Sequence, residues 1–122
     1  MNKSLTVLLI LLSVPASAAT LTCKGKVTVI AYHSPDRFMV QLESMNTPVF
    51  FCNPEARFSV SGTHYETGPE SCKMLYSSLL AAQAQGKYID YIHFDGDDVP
   101  AKCSDWETWR SSNIRYLRVH GE

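Results

Sequence analysis

The stretch that decides the fold is ESCKMLYSSLLAAQAQ, residues 70–85, which is followed directly by Gly86. Its main apolar positions recur at helical spacing, and they are Leu75, Leu79 and Ala82. A glycine at the end of such a run is typical of a helix C-terminus. At the other end, Thr67 and Glu70 fit a capping box, with Ser71 as a competing N-cap. The sequence therefore predicts one helix over residues 70–85.

A second apolar stripe runs along the same helix and consists of Tyr76, Leu80 and Ala84. A helix that is apolar on two sides is usually buried on two sides. In a domain of this size, one side can pack on its own sheet while the other faces a neighbouring subunit or a pore. The alternative is a single wide core face with a partly exposed Tyr76. The sequence leaves both interpretations open.

Short runs rich in β-branched and aromatic residues lie on both sides of the helix. The runs predict strands at residues 26–32, 37–43, 49–52, 87–94 and 113–120. Residues 61–69 are polar and contain two glycines and a proline, so we expect a loop there. Three strands, one helix and two strands is the order of an OB-type barrel. We therefore predict a mainly β (α+β) domain over residues 19–122, a five-stranded OB-fold barrel with one helix between strands 3 and 4.

All four cysteines lie within that predicted domain, at Cys23, Cys52, Cys72 and Cys103. An even count behind a secretion signal implies two disulfides, for which three pairings exist. A four-thiolate zinc site would need close Cys-x-x-Cys pairs, which this sequence does not contain. The preferred pairing is Cys23–Cys103 with Cys52–Cys72, because the first bridge would tie together the two ends of the domain.

The N-terminus has the pattern of a secretory signal peptide. Lys3 precedes a nearly unbroken apolar run, residues 5–14, and the small-residue stretch 16–18 follows Pro15. The apolar run is shorter than the ~20 residues that a membrane-spanning helix needs. We therefore predict cleavage after Ala18, a secreted or periplasmic domain that starts at Ala19, and no membrane span.

Composition and motifs exclude several function classes. Without Lys3, ten of the eleven basic residues remain against twelve acidic ones, a net charge of −2 that offers no footprint for nucleic acid. The four histidines are scattered without metal-ligand spacing, and neither a Gly-x-Ser-x-Gly motif nor a phosphate-binding loop is present. We therefore expect no enzyme activity, no metal and no cofactor.

The order of several short motifs is similar to that of bacterial toxin B subunits. Residues 23–27 (CKGKV), Tyr32 and residues 36–40 (DRFMV) resemble the opening of the Shiga toxin B subunit, and the helix resembles its Leu-rich, Ala-Gln-x-x-Gly helix. The motifs of residues 51–52, 71–74 and 112–113 also resemble those of subtilase cytotoxin B subunits.

The resemblance implies an OB fold, a homopentameric ring with helices around a central pore, and recognition of glycans on the host-cell surface. It also implies an enzymatic A subunit held at the pore, against the helix residues Tyr76, Leu80 and Ala84. Neither family's sugar preference is carried over, because Pro35 and Lys24 stand where those families have a sugar-binding carboxylate and serine.

The candidate glycan site combines the first hairpin turn with a loop that the resemblance places beside it. Sugars are bound by aromatic ring faces and by fixed polar groups. The candidate residues are Asp36, Arg37, Ser104, Asp105, Trp106 and Trp109. The alternative is that both tryptophans cover the end of the barrel as core and that Asp36 is only a turn residue.

A function of a different class fits the same sequence. Small exported OB or β-barrel domains also act as monomeric periplasmic binding or inhibitor proteins. A B-type subunit without any toxin partner is a third interpretation. A monomeric protein would not need the two-sided helix, but the sequence does not separate these interpretations. A neighbouring gene for an exported enzyme would favour the toxin.

Overall fold

The computed structural model describes Ser4, residues 6–11 and residues 19–121. The predicted cleavage site and most of the predicted signal peptide lie outside these described residues. The described domain has seven strands and one helix. These are β1 (Thr20–His33), β2 (Arg37–Leu42), β3 (Val49–Cys52), β4 (Phe58–Ser59), β5 (Glu66–Thr67), α1 (Pro69–Gln85), β6 (Tyr88–Asp95) and β7 (Asn113–Val119).

The five longer strands form one antiparallel sheet in the order β3-β2-β1-β6-β7. Strand β1 is its centre, since its first half pairs with β6 and its second half with β2. A register shift between Cys23 and Gly25 lies where β1 pairs with β6. Gly25 has φ 130° there, and a side chain on it would collide with Glu43.

The two outer strands of this sheet meet at one point. The Phe50 N–H of β3 donates to the carbonyl of Arg110, and the Ser112 N–H donates to the carbonyl of Phe50, both at 2.9 Å. This parallel bridge lies immediately before β7 and connects the first edge of the sheet to the last. It brings the loop before β7 against β3.

The core lies between the sheet and α1. Its largest fully buried side chains are Phe51, Phe94, Leu42, Leu79, Ile89 and Ile92. The helix contributes Cys72, Leu79 and Ala82 to the core. It ends at Gly86, whose left-handed backbone (φ 62°, ψ 28°) accounts for the glycine that the sequence places there.

Two disulfides fix the ends of these elements with the preferred pairing. Cys23–Cys103 joins residues 80 positions apart and ties β1 to the loop before β7. Cys52–Cys72 joins the end of β3 to the first turns of α1. The mainly β architecture with one helix and two bridges is confirmed. Two disulfides are also consistent with a protein of an oxidising compartment, as secreted and periplasmic proteins are.

The segment before the helix differs from the prediction in two ways. Residues 61–69 are not all loop, since β5 pairs with β4 in a small second sheet. The capping box is also absent: Gly68 is the N-cap without any side-chain cap, and Ser71 lies inside the helix. The Thr67 hydroxyl instead donates to Asn113 Oδ1 at 2.9 Å, so a tertiary contact uses the group that a cap would need.

The strand boundaries shift by a few residues elsewhere. Strand β1 starts at Thr20 rather than at residue 26, because its first half pairs with β6. Strand β6 extends one residue beyond the predicted bound, to Asp95. Strands β2, β3 and β7 begin and end within one residue of their predicted bounds.

Candidate functional site

The most exposed large aromatic ring of residues 19–121 belongs to Trp109, in the loop before β7. Its side chain is 65% exposed, and its backbone is left-handed, with φ 63°. A non-glycine residue in that region carries a conformational cost of about 1–2 kcal/mol. Such a position persists only where the surroundings over-determine it, and these positions cluster at functional sites.

Two side chains, Phe50 and His33, contact the Trp109 ring directly. The ring stacks on Phe50 with centroids 6.0 Å apart and planes at 28°, and meets the His33 ring edge-on at 5.2 Å. His33 also contacts Phe50 at 5.5 Å, and the guanidinium of Arg37 lies 4.2 Å above the Phe50 ring. We call these four residues the Trp109 platform. Phe50 is buried but lies outside the hydrophobic core cluster, so the exposed Trp109 ring rests on a buried residue of β3.

Hydrogen bonds hold the first hairpin turn, which connects β1 to β2, at the edge of the Trp109 platform. Asn53 Nδ2 donates to Asp36 Oδ2 at 3.0 Å, while Asn53 Oδ1 accepts from the backbone N–H groups of Glu55 and Ala56. The Tyr32 hydroxyl donates to the Pro35 carbonyl. One Asp36 oxygen is thus oriented by an amide, and the carboxylate lies one residue from Arg37 of the platform. Asp36 and Arg37 therefore stay candidate binding residues.

Trp106 lies in a different environment from Trp109. Its side chain is 3% exposed and packs edge-on against Phe94, with ring centroids 5.2 Å apart. Asn46 binds its backbone in both directions, with Nδ2 donating to the Trp106 carbonyl at 2.7 Å and Oδ1 accepting from its N–H at 2.8 Å. A ring buried to this degree has no face free for stacking on a ligand. We therefore correct the expectation for Trp106 and assign it to the core.

Ser104 and Asp105 are exposed, and Asp105 belongs to another recess. That recess has a volume of about 310 Å³ and is lined by Asp97, Asp98, Pro100, Asp105, Glu107 and Arg110. Arg110 forms ion pairs there with Glu107 and, at 3.8 Å, with Asp98. Of the six predicted binding residues, the structure thus groups Arg37 and Trp109, with Asp36 beside them, and places Asp105 with the acidic recess.

The sequence patterns did not predict that His33, Phe50 and Asn53 belong to this site. His33 was expected in the turn after the first strand but is the last residue of β1, whereas Phe50 lies in strand β3 as predicted. Their contact with Trp109 joins segments about sixty or more positions apart. The one sequence feature that pointed to this site was the aromatic Phe50 in the third strand. It indicates the site only if its ring faces the loop before β7.

The second stripe of the helix separates into two parts. The Tyr76 ring stacks on Phe38 with centroids 4.1 Å apart and planes at 15°, so it packs within its own domain. Leu80 is 41% exposed, and Ala84 is exposed one turn further on. Met74, on a neighbouring part of the helix surface, is also exposed. The helix therefore exposes the apolar side chains of Met74, Leu80 and Ala84 to solvent.

Within the described ranges, no group of three or more His, Cys, Asp or Glu side chains is arranged to hold a metal ion. No helix of these residues has the length and apolar character needed to cross a bilayer. Neither a protein-family model, a curated protein nor a solved structure matches this chain.

Proposed function

We propose that this chain is an exported B-type subunit that binds a host-cell-surface glycan at the Trp109 platform. The observation that carries the proposal is the Trp109 ring, 65% exposed on a left-handed backbone and supported from below by buried Phe50. An exposed indole ring supported by a buried aromatic residue offers a flat apolar face to a ligand. The face of a pyranose ring, with its row of C–H groups, is a suitable partner for it.

The polar groups beside the Trp109 ring supply the sugar specificity that stacking alone lacks. Stacking is tolerant of sugar type, so hydroxyl-specific hydrogen bonds must decide which sugar binds. Asp36 accepts hydrogen bonds through a carboxylate that Asn53 orients at 3.0 Å. Arg37 donates through a guanidinium held on the Phe50 ring. Charged donors and acceptors form hydrogen bonds about twice as strong as neutral ones.

The topology supports the OB-fold interpretation. Five antiparallel strands occur in the order expected of this barrel, and the helix lies between the third and fourth of the long strands. The bridge from Phe50 to Ser111 is the parallel contact that would close the barrel. Closure removes exposed strand edges, which are otherwise sites of aggregation. The signal peptide and export belong to the same proposal, supported by the two disulfides.

The exposed side of α1 supports assembly into a homopentamer. Leu80 and Ala84 leave apolar surface on the helix that the domain's own sheet does not cover. In the ring, this surface would line the pore and receive the A subunit. The alternative is a monomeric periplasmic or secreted OB-fold binding protein without a toxin partner. Light scattering on the oxidised protein separates these: a mass near five chains supports the ring, and a monomer at all concentrations removes it.

A glycan array tests the binding site itself. The wild-type protein is compared with Trp109→Ala, with Trp109→Phe and with Tyr88→Ala, the last removing a partly exposed ring elsewhere on the surface. We expect Trp109→Ala to lose binding by more than about tenfold, as truncating a central aromatic contact typically does. Trp109→Phe should retain part of it, and Tyr88→Ala all of it. Equal binding by the wild type and Trp109→Ala would remove the platform as the site.

A further inference from the structure

A second concave surface lies on the outer face of the sheet, where β6 and β7 pair. Ile92, Phe94 and Ile114 of these strands belong to the core, so Tyr91 and His93, which alternate with the first two, face outward. On β7, Arg115 and Tyr116 are consecutive residues at the register shift between His93 and Phe94. The recess has a volume of about 480 Å³, within the range of small-molecule sites. It is lined by Tyr91, His93, Arg115, Tyr116 and Arg118. We call it the β6–β7 groove.

The groove contains three aromatic rings, of which two are parallel and the third is perpendicular to one of them. Tyr91 and His93 have nearly parallel planes, 9° apart, with centroids separated by 6.3 Å. The Tyr116 ring stands perpendicular to Tyr91 at 5.2 Å, and it is half exposed. The guanidinium of Arg118 lies over the Tyr91 ring, 5.5 Å from its centroid. The rings of Tyr91, His93 and Tyr116 form the floor of the groove, and they offer aromatic contacts to a six-membered ring beside Arg118.

The floor is fixed before any ligand arrives. His93 Nε2 donates to Asp95 Oδ1 at 2.8 Å, and Asp95 is 2% exposed. A buried carboxylate holds the imidazole in one orientation, so binding would not have to pay for ordering that ring.

The two arginines of the groove differ in whether a carboxylate of the protein pairs with their charge. Arg118 Nε donates to both oxygens of Asp90 at 3.0 Å, and this carboxylate raises the pKa of the guanidinium. Its charge is therefore compensated within the protein. Arg115 lies 4.4 Å above the Tyr65 ring, and no ion pair joins it to a carboxylate of residues 19–121. The nearby Glu66, which lines an adjoining recess with Arg115, is paired with Arg57 at 2.7 Å.

From this arrangement we infer that the β6–β7 groove binds an organic anion whose carboxylate, sulfate or phosphate is attached to a six-membered ring. The ring lies on Tyr91 and His93 beside Tyr116, and the anionic group meets Arg115. A guanidinium matches the geometry of such oxyanions through two parallel hydrogen bonds. The inference does not depend on sugar binding at the Trp109 platform.

The test is an NMR titration that follows the ring protons of Tyr91, His93 and Tyr116. The probes are glucuronate, phenyl phosphate, neutral glucose and inorganic phosphate. We expect glucuronate or phenyl phosphate to shift these signals, and the tighter of the two identifies the ring as sugar or aromatic. Arg115→Gln should weaken this binding by at least about tenfold, the loss expected for one charged hydrogen-bonding partner. Tyr116→Ala should weaken it as well, and Tyr116→Phe should restore it.

The matched control is Arg110→Gln, which removes a guanidinium already paired with Asp98 and Glu107 and should leave the titration unchanged. The inference is overturned if neither ring anion shifts the signals, if glucose binds as well as glucuronate, or if inorganic phosphate binds as well as phenyl phosphate. Wild-type affinity in Arg115→Gln overturns it too. Because the signals come from the groove itself, they report on it independently of the array result at Trp109.

Discussion

Trp106 and Trp109 lie three residues apart in the same loop, yet one is 3% exposed and the other 65% exposed. Trp106 packs on Phe94 in the core, whereas Trp109 rests on the outer side of Phe50 and faces solvent. The loop carries them in opposite directions because Asn46 fixes the Trp106 backbone and the chain then turns through the left-handed Trp109. Identical side chains thus serve two purposes: one stabilises the fold, and the other is available for binding.

The largest expected effect is the difference in stability when each tryptophan is truncated. Trp106→Ala leaves a cavity against Phe94, and the free energy of unfolding should fall by about 3–5 kcal/mol. Trp109→Ala removes an exposed ring, and the loss should stay below about 1 kcal/mol. Urea unfolding followed by circular dichroism measures both values. Equal losses for the two variants would contradict the division between core and surface.

The next effect concerns Asn46, whose side chain makes two hydrogen bonds with the Trp106 backbone. Asn46→Ala leaves a backbone carbonyl and an N–H without these partners, so we expect a loss of about 1–3 kcal/mol. Asn46→Asp keeps the acceptor and loses the donor, and its loss should be intermediate. The same unfolding assay applies. A neutral Asn46→Ala would mean that Phe94 packing alone positions the loop.

A smaller effect is expected from His33, which contacts Trp109 without being part of the core cluster. His33→Ala removes one lateral support of the exposed ring, and an aromatic pair of this kind contributes about 0.5–1.5 kcal/mol. Glycan affinity should therefore fall about two- to tenfold while the unfolding midpoint changes little. His64→Ala, which removes an exposed imidazole stacked on Tyr65, is the control. Unchanged affinity in His33→Ala would show that Phe50 holds the Trp109 ring alone.

The smallest effect belongs to the exposed pair of Arg57 and Glu66, which joins β4 and β5. Hydrogen bonds from Arg57 and Ser59 lower the pKa of Glu66 below its ordinary value of 4.5. The ionised form is the one favoured in the folded state. Its stabilisation is therefore present above pH 4.5 and is lost as the pH falls through the folded-state pKa.

Glu66→Gln should accordingly leave stability near neutral pH almost unchanged and flatten its decline in acid. Surface ion pairs contribute little, so the difference will be small. Thermal unfolding between pH 7 and pH 3 measures it, and Arg57→Gln should give the same trend. An acid profile identical to that of the wild type in both variants would show that solvent already screens the pair.

The sequence predicts the parts of this fold that depend on local chemistry. Helix α1 and its end at Gly86 follow from helical spacing and a left-handed glycine, and the strands follow from β-branched runs. The disulfide pairing followed from placing Cys23 and Cys103 at the two ends of the domain. In each of these cases the deciding information lies in a few neighbouring residues or in a simple constraint on the chain ends.

The remainder depends on distant partners. The residues next to Trp106 and Trp109 in the sequence do not show which ring will be buried. Their burial depends on Asn46 and on aromatic rings of β3 and β6. Thr67 fits a capping box by spacing, yet it bonds to Asn113, which lies 46 positions away. Strands β4 and β5 are two residues each, too short to show an alternating pattern. Tyr91 and His93 alternate with core residues on β6, but no local pattern predicts the register shift that places the consecutive Arg115 and Tyr116 beside them.

The most direct test of the central claim uses the fact that the chain has only two tryptophans. Trp106→Phe leaves Trp109 as the sole reporter, and it also removes a buried indole N–H that has no hydrogen-bond partner within the described residues. Trp109→Phe leaves Trp106 as the reporter. Each variant is titrated with the glycan that binds best on the array, and tryptophan emission is recorded. We expect a saturable change in the emission of Trp109 and no change in the emission of Trp106. Unchanged emission of Trp109, or a change in the emission of Trp106 alone, would contradict the assignment of Trp109 as the binding residue.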